Sequence, residues 1–240
     1  FIEKAKRITP EKTIIGFSGG KSERGKHAAL SHTAALAADH ALVAGVLKQS
    51  GIIEAVTEQE VTSFAKILTY YPHRPMRLCS VAVVSSSGGH GVLASDSATE
   101  AGLNVPAFSA ERRKELRDLL EPDIRDIAAV GNPVDLTGSA ADQDFERTLD
   151  YLLAQDDIEA AMILTLPYTP MMTSFVGTRL GQVVKKHDKP VVAYVPNLAK
   201  YGMVLEGFEL NGIPVVHSID EAVQMLKALR LLGESCALRP

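Results

Sequence analysis

The sequence predicts an α/β protein whose parallel sheets are covered by helices on both faces. Two observations carry that prediction. From about residue 78 onward, five short apolar runs alternate with helical stretches, and strands joined by helical crossovers run parallel and are buried on both faces. The first of those runs also ends in a glycine-rich junction, Ser85–Gly91, that opens a helix, the usual place for a ligand in an open α/β sheet. At 240 residues, with 46% hydrophobic and 22% charged residues, the chain suits one large or two modest domains and is not a disordered polymer.

Taken in order, Phe1–Arg7 reads as the last turns of a helix. No initiator methionine precedes it, so the chain is expected to be part of a longer protein. Thr13–Ser18 is a strand, and Gly19–Lys26 a polar loop. A helix is expected over Thr33–Gln49, stopped by Ser50-Gly51. Ile52–Ala55 is a short strand, and Thr57 with Glu60 three residues on caps the next helix. Tyr70–Arg77 carries two prolines and breaks the periodicity, which places a domain boundary there, with domains over 1–72 and 78–240.

In the second domain Val81–Val84 is a buried strand followed by a helix over Val92–Ala101. Leu103–Phe108 reads as a second strand, and Ser109 caps a helix to Leu120. A long connection, Glu121–Gly138, leads to a helix at Asp142–Ala154. Strands at Glu159–Leu166, Pro190–Val195 and Ile213–Val216 alternate with helices near Ser174–Lys186, Lys200–Leu210 and Ile219–Leu232. Five such units fit the flavodoxin-like order 2-1-3-4-5. The first 72 residues read as the later half of a similar domain whose opening strands are missing.

Composition excludes several functions. With 25 basic and 29 acidic residues the formal net charge is −4, so no overall positive field attracts nucleic acid or anionic lipid. Two cysteines, Cys79 and Cys236, offer no metal-ligand spacing, and no metal site is expected in the chain. The most apolar stretch, Ala34–Leu47, is broken by Asp39 and His40, so no membrane span is expected. A cytoplasmic protein is the expectation.

Four motifs carry possible chemistry. Gly20–His27 approaches the nucleotide-binding pattern G-x-x-x-x-G-K-[ST], but His27 replaces the hydroxyl that holds magnesium. Ser31-His32-Thr33 is expected just before a helix. His32 is either part of a cap or a nucleophile, since neutral imidazole attacks a phosphoryl group without a strong base. In Ser85–Gly91 the glycines let a ligand approach the backbone, and a helix N-terminus favours an anion. His90 is expected to face solvent. Gly131–Gly138 is an irregular connection of a kind that is often functional, with Asn132, Asp135 and Thr137 expected to line the site.

Together, Gly19–Gly25 with Ala28–Thr33, then Ser86–Ala94, then Gly131–Gly138, resemble the NDP-forming acyl-CoA synthetases, typified by ADP-forming acetate–CoA ligase and related to succinyl-CoA synthetase. The resemblance implies two succinyl-CoA synthetase-like domains, the first incomplete. It implies that His32 carries a phosphoryl group between nucleotide and acyl acid. It implies that Ser86, Gly88, Gly89 and Gly91 hold phosphate, and that Lys21, Arg24 and Lys26 are mobile, hydrated cations meeting nucleotide phosphates. CoA and ATP or ADP with Mg are the implied cofactors. A small carboxylic acid is the implied substrate. An N-terminal CoA-binding domain and an ATP-grasp domain, in cis or in trans, are the implied partners. Ala34 stands where the family has glycine, and Ser86, Ser87 and His90 replace asparagine, glycine and proline. A non-catalytic module that binds CoA or acyl-CoA within a larger protein, such as an acetyltransferase, is the alternative reading.

Overall fold

The computed structural model describes residues 1–32, 39–72, 74–77, 79–166 and 169–237, with the side chains of 31 and 32 excluded. The chain divides into two compact units, Phe1–Pro75 with the residues from Ala228 on, and Met76–Lys227. In the first unit, α1 (Ile2–Ile8), β1 (Ile15–Phe17), α2 (Glu23–His32), α3 (His40–Gln49), β2 (Ile53–Ala55) and α4 (Glu58–Tyr70) follow one another. β1 and β2 pair in parallel, with Ile15 opposite Ile53 and Phe17 opposite Ala55. The expected stop after α3 is realised at Gly51, whose φ of +73° suits glycine. A Cβ there would lie 2.8 Å from Thr9 Oγ1. Thr57 caps α4 by accepting from Glu60 N at 3.1 Å. The Glu60 carboxylate reaches back to accept from Val56 N at 2.6 Å.

One expectation fails here. The polar loop after β1 is shorter than expected, because α2 already begins at Glu23. Ser22 is the reason: its Oγ accepts from Gly25 N at 3.1 Å, as an N-cap does. α2 is described as far as His32, and the expected helix start at Thr33 lies outside the described residues. The expected helix from Thr33 is described only from His40; residues 33–38, Thr33 and Ala34 among them, lie outside the described residues.

The second unit holds β3 (Val81–Ser85), α5 (Gly88–Glu100), α6 (Ala110–Leu119), α7 (Pro122–Arg125), β4 (Ala129–Val130), β5 (Val134–Asp135) and α8 (Asp142–Leu153). It continues with β6 (Ala160–Leu164), α9 (Val176–Val184), β7 (Val191–Tyr194), α10 (Gly202–Glu209), β8 (Val215–Val216) and the start of α11 (Ile219–Ala237). The sheet order is β4-β5-β3-β6-β7-β8, parallel except for β4. One face, Ala82, Val84, Ala161, Ile163 and Ala193, joins a single cluster with Leu116, Phe145, Leu149, Leu180 and Phe208 from α6, α8, α9 and α10. Alternate strand residues such as Val81, Val83, Met162 and Val192 are equally buried. They face the other way, since successive side chains of a strand alternate. Ser97 of α5 donates to Asp220 of α11 at 2.8 Å, so these two helices are neighbours.

The expected strand Leu103–Phe108 is reduced to one parallel bridge, Asn104 beside Ser80. The outer edge of β3 is instead satisfied in three stretches. Asn104 exchanges backbone bonds with Cys79 and Val81 at 2.8 Å each. Next, the Asn132 side chain accepts from Val83 N and donates to Val81 O, both at 2.9 Å. Finally β5 pairs with Val84 and Ser85. An amide side chain thus stands in for a missing stretch of strand.

Candidate functional site

The candidate site in the second unit forms where β3 ends. Ser85 Oγ accepts from Ser87 N at 3.0 Å and donates to Ser87 O at 2.8 Å, fixing the turn. Ser87 is the N-cap of α5, but its own side chain makes no capping bond. Gly88 and Gly89 are exposed at the start of α5, Gly91 is buried, and a Cβ on Gly89 would meet nothing closer than 3.9 Å. The first N–H groups of a helix have no intrahelical partner and point outward with a favourable dipole for an anion. This open glycine backbone fits a phosphate.

The other predicted residues fall into two groups. Gly88 and Gly91 press against the Gly131–Gly138 connection: a Cβ on Gly88 would lie 2.8 Å from Asp135 Oδ2, and one on Gly91 3.0 Å from Pro133 Cβ. Asp135 Oδ1 accepts from Thr137 N at 2.9 Å, and Thr137 holds a φ of +65°. Asp135 therefore sits at the mouth of the site. Ser86 does not. The residue is 3% exposed and its hydroxyl is turned to the end of β6, accepting from Leu166 N at 2.8 Å. Asn132 is likewise committed to the β3 backbone, which makes it a strap for the sheet edge before it is a lining residue.

His90 departs from the solvent-facing expectation. Its ring is half-buried edge-on to Tyr194, the last residue of β7, with centroids 5.3 Å apart and planes at 88°. His90 Nδ1 is buried without a hydrogen-bond partner among the described residues. Burial pushes the Tyr194 phenol above its ordinary range. Tyr194 escaped the motif reading; its position at the carboxyl end of a predicted strand was the available signal.

In the first unit, the described residues of α2 from Glu23 to Leu30 are all exposed or half-buried. Gly25 and Lys26 lie inside this helix rather than in a loop before it, so no phosphate-cradling P-loop forms. Two of the three predicted cations are held. Lys21 Nζ donates to Val56 O at 2.9 Å and lies 5.7 Å from the centroid of the Phe17 ring. Lys26 pairs with Glu23 at 2.9 Å, which keeps its pKa above the usual lysine value. Arg24 is exposed and has no partner among the described residues. The side chain of His32 lies outside the description.

Residues 1–68 match the succinyl-CoA ligase-like flavodoxin domain, and residues 81–208 match the Ligase-CoA domain. The chain belongs to the CoA-ligase family. The alpha subunit of ADP-forming acetate–CoA ligase II of Pyrococcus furiosus is 33% identical, over 95% of this chain and 50% of that protein. The alpha subunit of ligase I of the same organism is 30% identical, over 95% and 48%. A dinucleotide-forming acetyl-coenzyme A synthetase 1 of Ca. Korarchaeum cryptofilum, solved with phosphate and ADP, shares the fold. Its TM-score is 0.85 at 24% identity, covering 99% of this chain and 50% of that one. This CoA-ligase chain thus spans about half the length of the relatives it matches. No described helix is long and apolar enough to cross a membrane.

Proposed function

We propose that this CoA-ligase chain is part of an ADP-forming acyl-CoA synthetase that joins a small carboxylic acid to CoA at the expense of ATP. The observation that carries the reading is the identity of 33% along 95% of the chain to an acetate–CoA ligase alpha subunit, reinforced by the three motifs in register. The named relatives are ligases, which favours this reading over a non-catalytic CoA-binding module.

In the proposed reaction an imidazole nitrogen of His32 attacks the terminal phosphoryl group of ATP, forming a P–N bond as the P–O bond to ADP breaks. The acyl carboxylate takes the phosphoryl group to give an acyl phosphate. The CoA thiolate then attacks the acyl carbon and phosphate leaves. The α5 N-terminus, through the backbone at Gly88, Gly89 and His90, holds the phosphate. Asp135 stands beside it as a like charge, and His90 with Tyr194 forms an aromatic wall. Of the cations near α2, Arg24 is the one with its guanidinium uncommitted to described residues, so nucleotide phosphate contact falls first to it. Lys21 anchors the loop instead. Mg would come to the site with the nucleotide. An ATP-grasp component and a CoA-binding domain complete the enzyme, on the same polypeptide or another.

The test is a ligation assay on the full-length protein with its ATP-grasp component, supplying CoA, ATP, Mg and a series of carboxylic acids. Acyl-CoA appearing in step with ADP and phosphate is the expected result. CoA binding with no ligation of any acid would replace the synthetase by the regulatory module.

A further inference from the structure

His90 is the third residue of α5 and the one basic side chain in Ser85–Gly91 and Gly131–Gly138, the two segments at the mouth of the site. Side chains of a helix lean toward its N-terminus, so a residue in the first turn lies over the N–H groups that face the anion. The ring has a fixed seat. Ser85, Leu164 and Tyr194 stand opposite one another across β3, β6 and β7. The neighbouring Ala193 joins the core cluster with residues of α6, α8, α9 and α10, so the Tyr194 phenol projects from the other face. There it meets His90 edge-on, with centroids 5.3 Å apart and planes at 88°, an arrangement that aromatic pairs favour.

The two ring nitrogens are placed differently. Nδ1 is buried and has no partner among the described residues, whereas Nε2 is likewise unbonded to them but is not buried. A buried nitrogen left unbonded costs stability, and here that cost accompanies a seat that turns Nε2 outward. Asp135 supplies the chemical need for a donor. Its carboxylate lies beside Gly88 at the same mouth, a like charge to any phosphate held there. We propose that His90 is a binding residue for the phosphoryl group at the α5 N-terminus: Tyr194 holds the imidazole edge-on, and Nε2–H donates to an oxygen of phosphate or acyl phosphate. Those oxygens accept, so Nε2 carries the proton in this contact. The proposal rests on the reading of the α5 N-terminus as the phosphate site.

The test uses the full-length protein with inorganic phosphate as the probe, because its binding needs no turnover. Calorimetry is read first. His90→Ala is expected to weaken phosphate binding about tenfold, the scale of one hydrogen bond to a charged group. His90→Gln keeps an N–H donor about as far from the backbone as Nε2 and recovers most of the affinity. Tyr194→Phe keeps the ring and the wild-type affinity. Tyr194→Ala frees the imidazole and loses about threefold, the scale of one aromatic pair. Nitrogen NMR of the histidine rings is read second, with the His90 signals assigned by their loss in His90→Gln. Phosphate is expected to shift Nε2 of His90, a response that a packing role alone would not give. Equal phosphate affinity in wild type and His90→Ala would overturn the proposal and leave the backbone site standing. Equal losses in His90→Ala and His90→Gln with an unmoved Nε2 signal would make the ring a packing element and overturn the donor role. Wild-type protein that binds no phosphate would refute the α5 site itself, and the role of His90 with it.

Discussion

The two motif-bearing regions are built on opposite plans. The turn at the end of β3 is fixed on every side: Ser85 clamps the Ser87 backbone, the Asn132 amide straps the strand edge, and Gly88 and Gly91 abut Asp135 and Pro133. The helix that bears His32 has no fully buried residue from Glu23 to Leu30. In an enzyme that moves a phosphoryl group, the group that holds the anion gains from being preorganised, whereas the carrier has to present its nitrogen to more than one reactant. The difference in packing suits that division of labour.

The largest effect that sharpens this contrast is expected at Asn132. Asn132→Ala leaves Val83 N and Val81 O without their partner in a strand that is 0% exposed at both residues. It should destabilise the second unit by about 2–4 kcal/mol in urea denaturation, against a negligible stability effect for Arg24→Ala in α2. Gly91→Val comes next, because its Cβ would crowd the Pro133 ring at 3.0 Å. About 1–3 kcal/mol of strain is expected, with weaker phosphate binding by calorimetry. Asp135→Asn removes a like charge from the mouth of the anion site and should tighten phosphate binding about tenfold, the factor that corresponds to about 1.4 kcal/mol. Weaker binding would show that Asp135 serves the anion through a cation or an ordered water. Two serines give a smaller, paired effect. Ser109 accepts from Arg112 N at 3.2 Å as a true cap, so Ser109→Ala should cost about 1 kcal/mol. Ser87→Ala should fall within about 0.5 kcal/mol, since Ser87 makes no side-chain capping bond.

The smallest effect is expected from Tyr194. Burial raises its pKa, so the folded state favours the neutral phenol. As pH climbs past the ordinary phenol value of about 10, the unfolded chain loses its proton first. The stability from the neutral phenol is therefore intact below that pH and falls as pH rises through the folded pKa. Urea midpoints followed across that alkaline range should decline less steeply in Tyr194→Phe than in the wild type.

Much of this architecture was legible in the sequence because it depends on local signals. The apolar runs at Val81–Val84, Glu159–Leu166, Pro190–Val195 and Ile213–Val216 lie on β3, β6, β7 and β8, and Thr57, Ser109 and Gly51 act as the caps they resemble. The failures have physical causes. Leu103–Phe108 has strand composition, but Pro106 offers no N–H to a neighbour, and the rest of the β3 edge is taken by a side chain and a two-residue strand. Neither leaves a periodic trace. The Gly in Ser22-Glu-Arg-Gly-Lys made α2 read as loop, although Ser22 was a proper cap. In the candidate site, the glycines and Asp135 lie together at the turn that the motif marked, whereas Ser86 and Asn132 have their polar groups engaged by the sheet. His90 with Tyr194 is a meeting of residues distant in sequence, and no spacing rule announces it.

Whether His32 carries the phosphoryl group is decided by labelling. Full-length protein with its ATP-grasp component is incubated with ATP labelled at its terminal phosphate, and the modified peptide is mapped. The expected result is an acid-labile, alkali-stable phosphoramidate on His32, discharged by the acyl acid with CoA, and abolished together with ligation in His32→Asn. His32→Asn protein that still forms acyl-CoA at the wild-type rate would contradict it.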